Sequence, residues 1–202
     1  MTRAIRLTLG FLMLTALPAT ALAQGGTTPF VQVPDYLARG QSEFAGFVSI
    51  EDDIDLFGLY RRGLGPRFDG GLRVGFTDAA GGGVNLGIDL RYLLARATQD
   101  LPISFAIVAA PQFSLMDLGN LFAIPAGVSL GSAIDIEGRE LWLYGIPYVQ
   151  WAYFDPDVGD GDDEFDIGAE IGAQLMLAGK LWGAVALTIQ DDVAFALGLS
   201  YR

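Results

Sequence analysis

The C-terminal end of the chain alternates in residue type, and this alternation constrains the fold more than any other feature of the sequence. Large apolar residues occupy every second position: Val193, Phe195, Leu197, Leu199 and Tyr201. Small uncharged residues lie between them: Ala194, Ala196, Gly198 and Ser200. Because successive side chains of a strand point to opposite faces, the pattern predicts a strand with one apolar face and one small, neutral face.

The same alternation recurs along the chain and predicts an all-β fold. It is clearest in the segments 72–77, 84–92, 165–177 and 181–190. Ten strands are predicted in all, at roughly 43–51, 55–63, 67–77, 82–93, 101–110, 120–134, 140–153, 164–177, 180–190 and 192–201. Turn-forming residues separate them, and about ten residues suffice for a tilted strand to cross a bilayer. The first two strands are the weakest, so a barrel of eight strands is the alternative.

The small face indicates whether the apolar face meets lipid or the inside of a soluble protein. The outer face of a soluble barrel meets water and carries many charged residues. Here the second face is mainly Gly, Ala and Ser, and Lys180 is the single lysine of the chain. Such residues suit the interior of a narrow barrel, so we predict a closed antiparallel up-and-down transmembrane β-barrel in the outer membrane. A soluble periplasmic barrel that binds a lipid-like ligand is the alternative.

The N-terminal residues are predicted to lie outside the barrel. In residues 1–23 a basic start, an apolar stretch and the small-residue site Ala21-Leu22-Ala23 are typical of a signal peptide. Residues 24–42 contain several glycines and prolines, which predict an irregular leader, either in the periplasm or tucked under the barrel. Residues 43–202 are assigned to the barrel.

Two residue types are missing from the chain, and this limits its chemistry. It has no cysteine, which excludes thiol chemistry, and no histidine, which excludes Ser-His-Asp catalysis. We therefore expect no enzymatic activity, and no cofactor or metal centre is indicated. Without Arg3 and Arg6, ten basic residues face 24 acidic ones, which leaves a net charge of −14. This acidic excess argues against nucleic acid as a partner.

The pattern from residue 43 onward resembles the small outer-membrane β-barrel proteins of Gram-negative bacteria, the OmpA-type barrel domain in the broad sense. Members of this family usually end in an aromatic residue that signals barrel assembly, whereas here Tyr201 is penultimate and Arg202 is last. The resemblance implies a barrel surrounded by outer-membrane lipid and assembled by the barrel assembly machinery through its C-terminal strand. It also implies a structural or interaction role.

A few isolated charges fall on the predicted inward face. They form a candidate lumen charge network of Arg73, Asp89, Arg91, Asp166 and Glu170. Since an unpaired buried charge is costly, these residues are expected to pair. They either fill the barrel as a salt-bridge plug or line the charged constriction of a narrow, porin-like passive pore for small solutes.

One external connection is crowded with carboxylates. It contains Asp155, Asp157, Asp160, Asp162, Asp163 and Glu164. Closely spaced carboxylates supply the oxygen ligands that calcium prefers, although the spacing does not match an EF-hand. The stretch is predicted either to bind divalent cations weakly or to be a solvated loop.

Aromatic residues cluster near several predicted strand ends, which predicts an interfacial girdle. They are Trp142, Tyr144, Tyr148, Trp151, Tyr153, Phe154 and Trp182.

Overall fold

The computed structural model describes residues 30–51, 53–78 and 81–202. The predicted signal peptide, residues 1–23, lies outside the described residues and stays a prediction. No helix in the described part of the chain is long and apolar enough to cross a membrane.

The described chain is built almost entirely of antiparallel strands. Their bounds are β1 (Ser42–Ile50), β2 (Ile54–Gly63), β3 (Phe68–Thr77), β4 (Gly83–Ala95), β5 (Ser104–Ala109), β6 (Gln112–Met116), β7 (Gly119–Ile136), β8 (Arg139–Pro156), β9 (Asp162–Ala178), β10 (Leu181–Ile189) and β11 (Val193–Tyr201). Except for β5 and β6, which do not pair with each other, each strand pairs with its sequence neighbours, and β1 pairs with β11, so the sheet closes on itself. Closure leaves no free edge of unpaired main-chain groups, as a membrane requires.

We call the closed sheet the wall, and each strand position around it a stave. β5 and β6 together make one stave, so the eleven strands form ten staves. Both pair with β4 on one side and with β7 on the other. Pro111 lies at the break between them, and proline cannot donate to a ladder. The register is the same on both sides of the break, with Leu90 opposite Ala109 and Gly87 opposite Gln112. The structure thus confirms the predicted closed barrel of ten strands.

The fifth strand shows the main error in the predicted strands, which placed it at 101–110. In the structure it starts later, at Ser104, and continues beyond Pro111 to Met116. A single proline interrupts the pairing locally here without redirecting the strand.

The large apolar side chains point away from the barrel. Leu86, Ile88, Ile167 and Leu197 are 49%, 47%, 75% and 51% exposed, and they belong to a continuous apolar outer face. A soluble periplasmic barrel would bury these residues at its centre, so that alternative is wrong. A closed antiparallel barrel with an apolar exterior and a polar interior is a transmembrane barrel of the outer-membrane type.

The two mouths of the barrel differ. β1 begins at Ser42 and β11 ends at Tyr201 at the same mouth, which we call the terminal mouth. The other, which we call the distal mouth, carries Ile50, Val193 and the connection between β8 and β9. The chain therefore enters and leaves the wall at the terminal mouth.

Several of the predicted girdle aromatics lie inside the barrel instead. Trp142, Tyr144, Tyr148 and Trp182 are buried and pack in one interior cluster. Phe154 is half-buried against a second interior cluster, whereas Trp151 and Tyr153 do face outward. Both faces of β8 are rich in apolar residues, so alternation alone did not identify its inner face.

Inward glycines make room for these rings. Gly172 lies opposite Tyr144, and Gly168 lies opposite Tyr148 on the neighbouring strand. A Cβ atom at either glycine would overlap the tyrosine ring opposite. These contacts give the two inward glycines a specific role in packing.

The outward face generates a first prediction. Leu197→Arg places a charge in hydrocarbon near the middle of β11, so we expect the free energy of unfolding to fall by about 2–4 kcal/mol. Urea titration of the protein in lipid vesicles measures this change. Val158→Arg is the matched control, because Val158 is 91% exposed in the connection between β8 and β9. Equal losses in the two variants would contradict the assignment of the lipid face.

Candidate functional site

An irregular stretch of the predicted leader lies inside the barrel. We call residues 30–37 the lumen segment. Phe30, Val31, Gln32 and Val33 are at most 2% exposed, and Leu37 is also buried. The predicted leader was expected in the periplasm or under the barrel. The structure instead places these eight residues in the lumen, enclosed by the wall. The lumen is the candidate functional site because the chain itself occupies it.

Glu170 on β9 anchors the inner end of the lumen segment. The main-chain N–H groups of Phe30 and Val31 each donate to its carboxylate at 2.8 Å. The hydroxyl of Tyr144 donates to the same carboxylate at 3.1 Å. A carboxylate that accepts several hydrogen bonds in a buried site is strongly held, because charge-assisted bonds are stronger than neutral ones.

Other side chains of the wall bind further main-chain atoms of the segment. With the two N–H groups bound by Glu170, seven main-chain atoms are bound by wall side chains, three N–H groups and four carbonyls. The carbonyls of Val31, Gln32 and Val33 accept bonds from Gln174 at 3.1 Å, Ser129 at 2.8 Å and Arg91 at 2.7 Å. Near the terminal mouth, the N–H of Leu37 donates to Asp69 at 3.0 Å. Seven main-chain polar groups of a segment that joins no strand ladder thereby have partners.

The side chains of the lumen segment enter two apolar clusters of the inner wall. Phe30 and Val33 pack with Trp142, Tyr144, Tyr148 and Trp182. Val31 packs in the other cluster, with Phe47, Phe57 and Leu59. The Phe30 and Tyr148 rings meet edge to face, with centroids 5.3 Å apart. Hydrophobic burial therefore adds to the main-chain hydrogen bonds.

Three buried ion pairs surround the segment. Arg73 pairs with Asp89 at 2.7 Å, and Arg91 pairs with Asp69 at 2.8 Å. The third pair joins Arg61 to Glu43, and all six side chains are at most 2% exposed. Asp89 also accepts a bond from the side-chain amide of Gln32 at 2.5 Å. Buried charges are tolerated only when they are paired in this manner.

The predicted lumen charges are placed in two different regions. Arg73, Asp89, Arg91 and Glu170 are buried around the lumen segment. Asp166 is not part of that group: it is half-buried nearer the distal mouth and accepts a bond from Gln190 at 2.9 Å.

Sequence reasoning missed several members of the network. They are Gln32, Glu43, Arg61, Asp69, Ser129 and Gln174. Glu43 and Arg61 lie on the two strands with the weakest alternation, where the inner face was hard to identify. Their positions opposite each other in the β1–β2 register would have indicated a pair, once that register was known.

The C-terminal Arg202 has a structural role in the terminal mouth. Its guanidinium donates to Glu43 at 3.2 Å and to Gln174 at 2.7 Å, and it lies 4.5 Å from the centroid of the Trp182 ring. The residue that departs from the usual aromatic ending thus links the first, ninth, tenth and last strands.

The acidic stretch near the distal mouth does not converge as one site. Asp157 and Asp160 are exposed in the connection, Asp155 lies at the end of β8, and Asp162 and Asp163 begin β9. The carboxylates that do meet, within 4.8 Å in the described part of the chain, belong to Glu164, Asp166 and Asp191. Only Glu164 comes from the predicted six.

Comparison with known proteins finds likeness in structure alone. No protein-family model and no curated protein matches the sequence. Among solved structures, the KdgM porin is 8% identical with a TM-score of 0.43, over 79% of this chain and 98% of that one. The N-terminal β-barrel domain of Pseudomonas aeruginosa OprF is 10% identical with a TM-score of 0.39, over 81% and 97%. Ail of Yersinia pestis is 13% identical with a TM-score of 0.30, over 81% and 98%.

The anchoring of the lumen segment generates a second prediction. Glu170→Gln replaces the charged acceptor of two N–H groups with a neutral amide, and bonds to charged groups contribute about 1.5–3 kcal/mol. We expect the Phe30 and Val31 amides to exchange with solvent at least about tenfold faster, as measured by NMR hydrogen exchange. Asp166→Asn is the control, because that carboxylate bonds Gln190 and lies apart from the segment. Unchanged exchange in Glu170→Gln would show that the carboxylate does not hold the segment.

Proposed function

We propose that this chain is a non-enzymatic outer-membrane barrel with a structural or interaction role, and that its own N-terminal segment keeps it closed. The observation that carries the proposal is the occupation of the lumen by residues 30–37, with seven main-chain atoms bound to the wall. A barrel whose interior is filled by chain and by paired charges is suited to a structural role in the membrane. The short connections at the distal mouth offer little surface for a large receptor or adhesin.

The proposal that the chain is not an enzyme rests on the residue types available in the chain and in the lumen. The chain has no histidine or cysteine, so a nucleophile would need a carboxylate as its base. The buried carboxylates of Glu43, Asp69, Asp89 and Glu170 are bonded to arginines or to the lumen segment. Kinship with OmpA-type barrels is part of the same proposal. It rests on small size and a filled interior, although small OmpA-type barrels have about eight strands.

A narrow passive pore for small solutes is the second candidate. The observation in its favour is a cavity of about 550 Å³ at the terminal mouth, lined by both charges and apolar groups, among them Asp35, Arg91, Lys180 and Arg202. The cavity adjoins the lumen segment at Tyr36 and Leu37. Release of the segment would join this cavity to the charged lumen, and the ion pairs would then lie along a hydrated path.

The partners belong to the proposal as well. The apolar outer face fits outer-membrane lipid, and the alternation of β11 fits recognition by the barrel assembly machinery. Weak binding of divalent cations by the acidic distal connection stays a prediction of the sequence, as does the absence of a nucleic-acid partner.

Conductance separates the two candidates and is the third prediction. Intact protein in planar lipid bilayers should give no steady open-channel current, because the lumen segment occupies the lumen. A variant that lacks residues 24–37 is the positive control, and it should conduct because water replaces the segment. Steady currents from intact protein would overturn the closed barrel in favour of the pore.

A further inference from the structure

We infer that the lumen is a binding site for a peptide in one defined conformation, and that residues 30–37 occupy it as a ligand that can be detached and still bind. The inference rests on the proposed function, since it concerns the same contacts and asks what class of ligand they recognise. That class is a peptide with two consecutive N–H groups that donate to one carboxylate, flanked by apolar side chains. The segment's own sequence is the ligand to which we commit.

The bonds that hold the wall together differ in kind from those that hold the lumen segment inside it. The main-chain ladders of the wall join strands between residues 42 and 201 and close through β1 and β11. The segment is bound to that wall by side chains from β3, β4, β7 and β9. The sheet therefore closes without the lumen segment, which is bound in its interior as a separate element.

The bonds recognise main chain in a defined order. Glu170 accepts two adjacent N–H groups, and the next carbonyls in sequence are bound by Gln174, Ser129 and Arg91. These donors lie on different sides of the barrel, and Val31 has a φ of +47°, so the bound chain is held in one defined conformation that is not fully extended. Main-chain hydrogen bonds give affinity, and pockets for side chains give specificity.

The pockets provide that specificity. Phe30 and Val33 enter one apolar cluster and Val31 enters another, while Gln32 bonds Asp89 between them. A peptide with a different order of apolar and polar side chains would place polar atoms against Trp142 and Tyr148, or an apolar group against Asp89. Either mismatch leaves a buried polar group without its partner, which is costly.

The connection to the barrel offers a place to cut the chain after folding. Residues 38–41 are exposed at the terminal mouth, between buried Leu37 and the start of β1. Gly40 has a φ of +85°, which is typical of a tight turn. A protease recognition sequence inserted there allows the full chain to fold first and to be cleaved afterwards.

Retention of the cleaved segment is the test, and it is the fourth prediction. The folded, cleaved protein is passed through gel filtration in detergent, and mass spectrometry measures how much segment stays with the barrel over time. We expect the segment to be retained, and to be lost about tenfold faster from a Glu170→Gln variant, since one charge-assisted bond accounts for such a factor. Cleaved Asp166→Asn protein is the matched control and should match the unmodified barrel.

A synthetic peptide covers the case in which the cleaved segment leaves. The probe is the acetylated sequence of residues 30–37 with a fluorophore at its C-terminal end, and fluorescence anisotropy reports its binding. Saturable binding that weakens about tenfold when the Phe30 and Val31 amides are N-methylated supports the site. A segment that leaves and a probe that fails to bind, or a methylated probe that binds equally well, overturns it. A steady current from intact protein would instead contradict the closed barrel of the proposed function, without contradicting binding of the peptide.

Discussion

Every main-chain polar group inside a membrane must find a partner within the protein, and the architecture follows from that requirement. Hydrocarbon offers no hydrogen bonds, so an open sheet edge at that depth is untenable. The pairing of β1 with β11 removes the edge, and the stave formed by β5 and β6 keeps its register across Pro111. The apolar outer face is the other requirement of a membrane barrel, because it allows the closed wall to lie in lipid.

The interior obeys the same rule with different means. Small residues alone would leave a wide lumen in a barrel of ten staves, and the charges on the inner face need partners. Arg73 and Arg91 each bind a carboxylate and also a main-chain carbonyl of the lumen segment. The segment thus supplies partners for charged groups of the wall, and the wall supplies hydrogen bonds for the main chain of a segment that joins no strand ladder. Each is buried at an acceptable cost because the other is present.

The sequence predicted what strict alternation reveals and missed what depends on contacts across the lumen. Leu86 and Leu197 were assigned correctly because their strands alternate cleanly between apolar and small residues. Tyr144 and Tyr148 were misplaced because β8 is apolar on both faces, so its register had to come from the inward glycines of β9. The lumen segment could not be placed, since Phe30 to Val33 shows no feature that separates a filled lumen from a periplasmic leader. Its partners, such as Glu170 and Ser129, are more than 90 residues away in sequence.

The seam between β1 and β11 has a consequence for the order in which the molecule is made. Residues 30–37 precede every strand, whereas the seam needs the final nine residues before Arg202. The earliest part of the described chain is therefore enclosed by a wall whose last stave arrives at the end. A sheet that curls around this segment before its two edges meet encloses it directly, and nothing has to be threaded through a finished barrel.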